Sequence, residues 1–147
     1  MSILRSRGWA LAAIVATSTA LAQAPSPDTL PDADWRAIRT VVEAQREALV
    51  AGNAERAFGY ASRGIREQFG DAPAFFAMVL ESYAALVEAR EATLLDGAVI
   101  GGRVIQPMRL VLPDNTVLIA LYTMVRARGG GWRIGGCILA PSTLKAV

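Results

Sequence analysis

Residues 103–140 read RVIQPMRLVLPDNTVLIALYTMVRARGGGWRIGGCILA. Branched aliphatic and aromatic residues fill three runs, parted by Pro113-Asp114-Asn115 and Gly129-Gly130-Gly131, which is the pattern of β-strands joined by turns. In the middle run Val117, Ile119, Leu121 and Val125 alternate with Leu118, Ala120, Tyr122 and Met124, so both faces are apolar and both require cover. In the run before it, Val104, Gln106, Met108, Leu110 and Leu112 share one face and Ile105, Pro107, Arg109 and Val111 the other. Pro107 has no N–H to give a neighbouring strand, so a bulge or an edge position is expected there. A further strand is expected over Glu91 to Ile100, with Gly101-Gly102 turning into Arg103.

Upstream of the sheet the period changes to that of helices. A first helix is expected from a cap at Asp32 or Asp34 to about Ala51, stopped by Gly52. Trp35, Ile38, Val41, Val42, Ala48 and Leu49 lie on its apolar side, and Arg39 with Glu43 and Glu43 with Arg46 are at pairing distance on the wet side. Asn53 opens a short second helix, SRGIREQFG reads as irregular or a single turn, and Asp71 caps a third helix, DAPAFFAMVLESYAAL. Phe75, Phe76, Val79, Tyr83 and Leu86 would face inward from it. The fold class is therefore α+β, with three N-terminal helices packed on the concave face of a curved four-stranded antiparallel sheet.

The ends carry different information. Arg5 and Arg7, the mostly apolar stretch of 13 residues from Trp9 to Leu21, diluted by Thr17-Ser18-Thr19, and Ala20-Leu21-Ala22 have the order of a signal peptide, with cleavage after Ala22. That stretch is shorter than the ~20 apolar residues a membrane span takes, so no stable span is expected after cleavage and the protein is read as exported. Residues 23–31 form a proline-rich flexible leader, 32–140 a single domain and 141–147 a C-terminal tail. Arg5 and Arg7 leave with the signal, so 13 basic residues face 13 acidic ones in the mature chain. Without net charge or a basic run, the sequence offers no footprint for nucleic acid.

Chemistry is bounded by what is missing. The chain has no histidine and a single cysteine, Cys137, so imidazole-based zinc sites, a serine-histidine dyad and an intramolecular disulfide are all excluded. No catalytic residue, metal or cofactor is assigned. The candidates for a ligand pocket between helices and sheet are Gln45, Tyr83, Gln106, Arg109, Tyr122 and Cys137. Gln45 stands between Val42 and Leu49 on the apolar side of the first helix, where an amide without partners costs about 1–3 kcal/mol. Arg109, if it points inward, requires an anion. The ligand would thus be small and either apolar or anionic. The doubly apolar sheet also implies a homodimer through the outer face, or a folded-over terminal segment in its place.

The stretches EAQREALVAGNAERAFGYAS, FGDAPAFFAMV and GGGWRIGGCIL, in the order helices then antiparallel meander, resemble the nuclear transport factor 2-like, cystatin-like superfamily of cone-shaped α+β domains. Within it the chain looks most like a bacterial group defined as domain of unknown function number 4864, over roughly Pro31 to Leu139. The resemblance implies the cone, and it leaves open a non-catalytic binding or interaction module of the cell envelope or a ketosteroid-isomerase-like or dehydratase-like enzyme. The second would use a pocket carboxylate and a tyrosine, and Asp96, Glu67 and Glu91 are the acids to test.

Overall fold

The computed structural model describes residues 29–143. The expected signal peptide, most of the expected leader and the end of the expected tail lie outside the described residues. Helix α1 (Asp32–Val50) begins after Pro31, which has no side-chain cap. Asp32 and Asp34 are therefore not caps; they sit in the first turn, where carboxylates suit the positive end of the helix dipole. Helix α2 (Ala54–Gly59) is capped by Asn53, whose side chain accepts from the Arg56 N–H at 3.0 Å. In place of an irregular segment, α3 (Arg63–Phe69) is a regular helix, because Ser62 accepts from the Ile65 N–H at 3.3 Å and supplies a cap. Asp71 caps α4 (Ala72–Ser82) as expected. The expected third helix then breaks at Tyr83, whose backbone leaves the helical region (φ −132, ψ 30), and α5 (Ala85–Glu88) follows. Five helices, not three, precede the sheet among the described residues.

The sheet is antiparallel, with β1 (Glu91–Leu94) and β2 (Ala98–Ile100) both paired to one edge of β3 (Arg103–Val111), followed by β4 (Val117–Arg126) and β5 (Trp132–Pro141). It has five strands where four were expected, because the first is split opposite Pro107. The carbonyl of Pro107 accepts from the Leu95 N–H at 3.0 Å, so its nitrogen, which has no hydrogen, faces the same edge. Leu95, Asp96 and Gly97 bow out there, three residues against Gln106 and Pro107. The bulge expected at Pro107 thus lies in its edge partner, while β3 keeps an unbroken register with β4 from Val104 opposite Met124 to Val111 opposite Val117. Gly97 is required in the bow, since a Cβ there would lie 2.2 Å from the Trp35 ring.

A second irregularity matters more for the interior. Thr123 opposes Gly136 but Met124 opposes Ile134, so Gly135 is an extra residue in β5. The strand changes face at that point. Trp132 and Ile134 before the bulge, and Cys137 and Leu139 after it, all turn toward the helices, whereas Ile138 is 66% exposed on the outer face. The core joins Ile38, Val42, Ala48 and Leu49 of α1 to Met108, Leu110, Ala120, Met124 and Ile134 of the sheet. Each large aliphatic side chain buried this way contributes about 1.5–3 kcal/mol.

Polar ties run between elements far apart in sequence. The Asp34 carboxylate accepts from Arg126 at 2.6 Å and from the Trp132 indole N–H at 3.0 Å, and the Arg126 guanidinium lies 4.3 Å from the Trp132 ring centroid. The first turn of α1 is thereby fastened to the β4–β5 hairpin. That hairpin closes through Ala127 and Gly130, the latter at φ +89, a conformation open to glycine at little cost. The ion pairs expected along α1 do not form; Arg39 instead reaches Asp96 at 3.5 Å and the Leu95 carbonyl, and Arg46 donates to the Ala89 carbonyl at 2.8 Å. Same-helix pairs stabilise by only a few tenths of a kcal/mol, so tertiary acceptors outcompete them.

Candidate functional site

Between α1, α3, α4 and the inner sheet face lies a half-open cavity of about 250 Å³. Its walls are Leu49 of α1, Ile65 and Phe69 of α3, Phe75, Met78 and Val79 of α4, Leu86 of α5 and Ile134 of β5. Phe75 is braced from two sides, by Phe58 at 5.4 Å and by Phe69 in an edge-on contact at 5.9 Å between ring centroids. The polar lining is Gln45, Gln68, Tyr83, Tyr122 and Cys137, and none of the fifteen lining residues is charged.

Four of the six candidate residues meet here: Gln45, Tyr83, Tyr122 and Cys137. Gln45 is buried, and its amide donates to the Ala57 carbonyl at 3.2 Å, joining α1 to α2. The Tyr83 hydroxyl donates to the Cys137 carbonyl at 3.0 Å, which accounts for the helix break at Tyr83: leaving the helix lets the ring reach the sheet. Tyr122 and Cys137 are direct cross-strand neighbours, and the Gly135 bulge is what turns Cys137 inward. Burial pushes the Cys137 thiol up to about 12, so at neutral pH it is a thiol and a poor nucleophile. Burial also raises the Tyr122 phenol far above its ordinary value.

The other two candidates lie elsewhere. Gln106 is fully buried under the β1–β2 bow, where its amide donates to the Leu95 carbonyl at 2.7 Å and the Pro107 carbonyl at 3.0 Å. It pins the irregular edge that Pro107 creates, and its placement on the inner face does not bring it to the cavity. Arg109 pairs with Thr93 and Ile119 on the outer, half-exposed face, where solvent relieves the cost of its charge. Gln68 joins the cavity without a sequence signal, because α3 itself was not expected to be a regular helix.

The three acids also lie away from the cavity. Asp96 pairs with Arg39, Glu67 with Arg63 at 2.6 Å and Glu91 with Arg90, all at exposed positions.

One polar atom in this wall has no protein partner. The Tyr122 hydroxyl is buried, in a residue 1% exposed, and makes no hydrogen bond. A buried donor in that state costs about 1–3 kcal/mol. Tyr122→Phe is therefore expected to stabilise the free protein by about 1 kcal/mol, raising the thermal midpoint by roughly 4 °C. A fall in the midpoint would show that the hydroxyl is satisfied in solution.

Among the described residues no helix is long and apolar enough to cross a membrane, and no group of three or more acidic or cysteine side chains is placed to hold a metal ion. The family described as Domain of unknown function (DUF4864) matches residues 31–147, and the chain belongs to it. Neither a curated protein nor a solved structure matches the chain.

Proposed function

We propose that this member of the DUF4864 family is an exported, non-catalytic module that binds a small, uncharged, largely apolar molecule in the cavity between its helices and its sheet. The observation that carries this reading is the lining: aliphatic and aromatic walls, a few amide, hydroxyl and thiol groups, and no ionic side chain. An anionic ligand, the other reading of the sequence, loses its support with Arg109 on the outer face. An apolar cavity of ~150 Å³ holds benzene, so about 250 Å³ takes a molecule of roughly ten non-hydrogen atoms. The carboxylate-dependent enzyme is favoured by no observation, since proton abstraction of that kind needs an acid in the cavity wall. Mass spectrometry of small molecules copurifying with the native protein tests the reading: a neutral compound of that size is expected, and a charged one would count against it.

The frame proposed for this module is the nuclear transport factor 2-like cone, supported by the order of helices then antiparallel meander and by a core on one sheet face. A second copy covers the other face. Its support is the row Pro107, Leu121 and Ile138 across three adjacent strands, ending at the exposed Ile138. Export rests on the signal-like residues 1–22. Intact mass and sedimentation of the native protein test both points, with Gln23 as the first residue and a dimer at micromolar concentration expected; a retained signal or a monomer would contradict the respective point.

A further inference from the structure

On the far side of α3 from the apolar cavity, five arginines converge on one cleft. Arg63 and Arg66 come from α3, Arg126 and Arg128 from the end of β4 and its turn, and Arg133 from β5, around a volume of about 450 Å³. Ser62, Gly64, Val125 and Ala127 complete the lining, which holds no acidic residue. No basic run in the sequence announces the cleft, because its arginines come from three separate segments that only the fold brings together.

Two of the five charges are answered: Glu67 pairs with Arg63, and Asp34 with Arg126 at 2.6 Å. Among the described residues Arg66, Arg128 and Arg133 have no ion-pair partner within 4.0 Å, so five cations against two anions leave three positive charges. Like charges gathered in a concavity repel one another unless something anionic sits among them. The Asp34 bond, the bond from Arg126 to the Gly130 carbonyl at 2.7 Å and the stacking on Trp132 hold one guanidinium in place without ligand, so part of the site is pre-ordered.

We infer that this cleft binds a small polyvalent oxyanion, a compound carrying two or more phosphoryl groups. The planar fork of guanidinium donors matches phosphoryl oxygens two at a time, and arginine remains charged at every physiological pH. Three unanswered cations suit a ligand of charge about −3, beyond what one carboxylate supplies. No aromatic side chain lines the cleft, so nothing is provided to stack a base, which disfavours single-stranded nucleic acid. The site is separate from the apolar cavity, and each can fail without the other.

Titration calorimetry of the full-length protein with inorganic pyrophosphate, at low salt and again at 0.5 M, tests the assignment. Binding that weakens with salt, is at least tenfold weaker for orthophosphate, and drops at least tenfold in Arg66→Gln/Arg128→Gln is expected. Both side chains are exposed and unpaired, so the double variant keeps its fold, which its unchanged thermal midpoint will show. The phosphoryl groups can belong to a soluble compound or to a lipid headgroup. Sedimentation with vesicles containing cardiolipin, whose headgroup carries two phosphoryl groups, separates these: retention that pyrophosphate displaces assigns the site to headgroups, and no retention alongside pyrophosphate binding assigns it to a soluble ligand. No pyrophosphate binding at millimolar concentration, equal binding by the double variant, or binding of an oligonucleotide that pyrophosphate does not displace would overturn the inference.

Discussion

Asp34→Ala is expected to lower the free energy of unfolding by about 2–4 kcal/mol, several times the effect of the same change at Asp32. Both residues lie in the first turn of α1, where interaction with the helix dipole contributes about 0.3–1 kcal/mol. Asp34 alone reaches across the molecule. Its carboxylate, in a side chain only 18% exposed, accepts from both Arg126 and the Trp132 indole, and each hydrogen bond to a charged group is worth about 1.5–3 kcal/mol before losses shared between them. Removing it also leaves the indole N–H of a buried residue without an acceptor. Denaturant unfolding of Asp34→Ala, Arg126→Ala and the double variant should give a coupling of about 1–2 kcal/mol. Equal, small losses at Asp32 and Asp34 would mean that the contact does not hold α1 to the hairpin.

The second large effect concerns the cavity. Met78→Trp places an indole where a flexible thioether lines the space between α4 and the sheet, and is expected to abolish binding of small neutral aromatics while the protein remains folded. Overpacking a full core costs about 1–3 kcal/mol, but here the added ring has open volume to enter, so the cost in stability should fall below ~1 kcal/mol. Thermal unfolding of the variant measures one half of this statement and ligand titration the other. A variant that binds as the parent does would place the ligand outside the cavity.

Much of this architecture could be read from local pattern. Alternation along residues 104–112 and 117–125 grouped the side chains that share a face, Met108 and Leu110 in one strand and Ala120, Tyr122 and Met124 in the next, without saying which face meets the helices, and the helical spacing of Ile38, Val42, Ala48 and Leu49 gave the buried stripe of α1. What stayed hidden depends on a single residue acting through distant partners. One extra glycine, Gly135, reverses the face of everything after it in β5, and periodicity alone cannot say which of the two adjacent glycines, Gly135 or Gly136, is the bulge. Pro107 was recognised as disruptive, yet the disruption passed to its edge neighbour, because the missing donor faces that strand and leaves the β4 side intact.

The candidate site divides in the same way. Gln45, Tyr83, Tyr122 and Cys137 stood out as polar groups in apolar patterns, and those patterns mark the inner face. Gln106 satisfied the same rule but sits beneath a different part of the sheet, since facing inward does not specify position along a strand. Arg109 follows the alternation outward. The arginine cleft was illegible because charges on exposed positions carry no periodic signal, and only the packing of α3 beside the β4–β5 hairpin brings Arg63 and Arg66 to Arg126, Arg128 and Arg133.

The most direct measurement is a paired titration of the protein with acetophenone and benzoate, two molecules of nearly the same shape that differ in charge. The uncharged lining predicts that acetophenone binds in the range of ~0.1–1 mM, as expected for about ten non-hydrogen atoms of ordinary efficiency, with benzoate at least tenfold weaker because nothing in the cavity repays the loss of its hydration. Benzoate binding as tightly as acetophenone, or acetophenone not binding at all, would contradict the account of this cavity as a site for small neutral molecules.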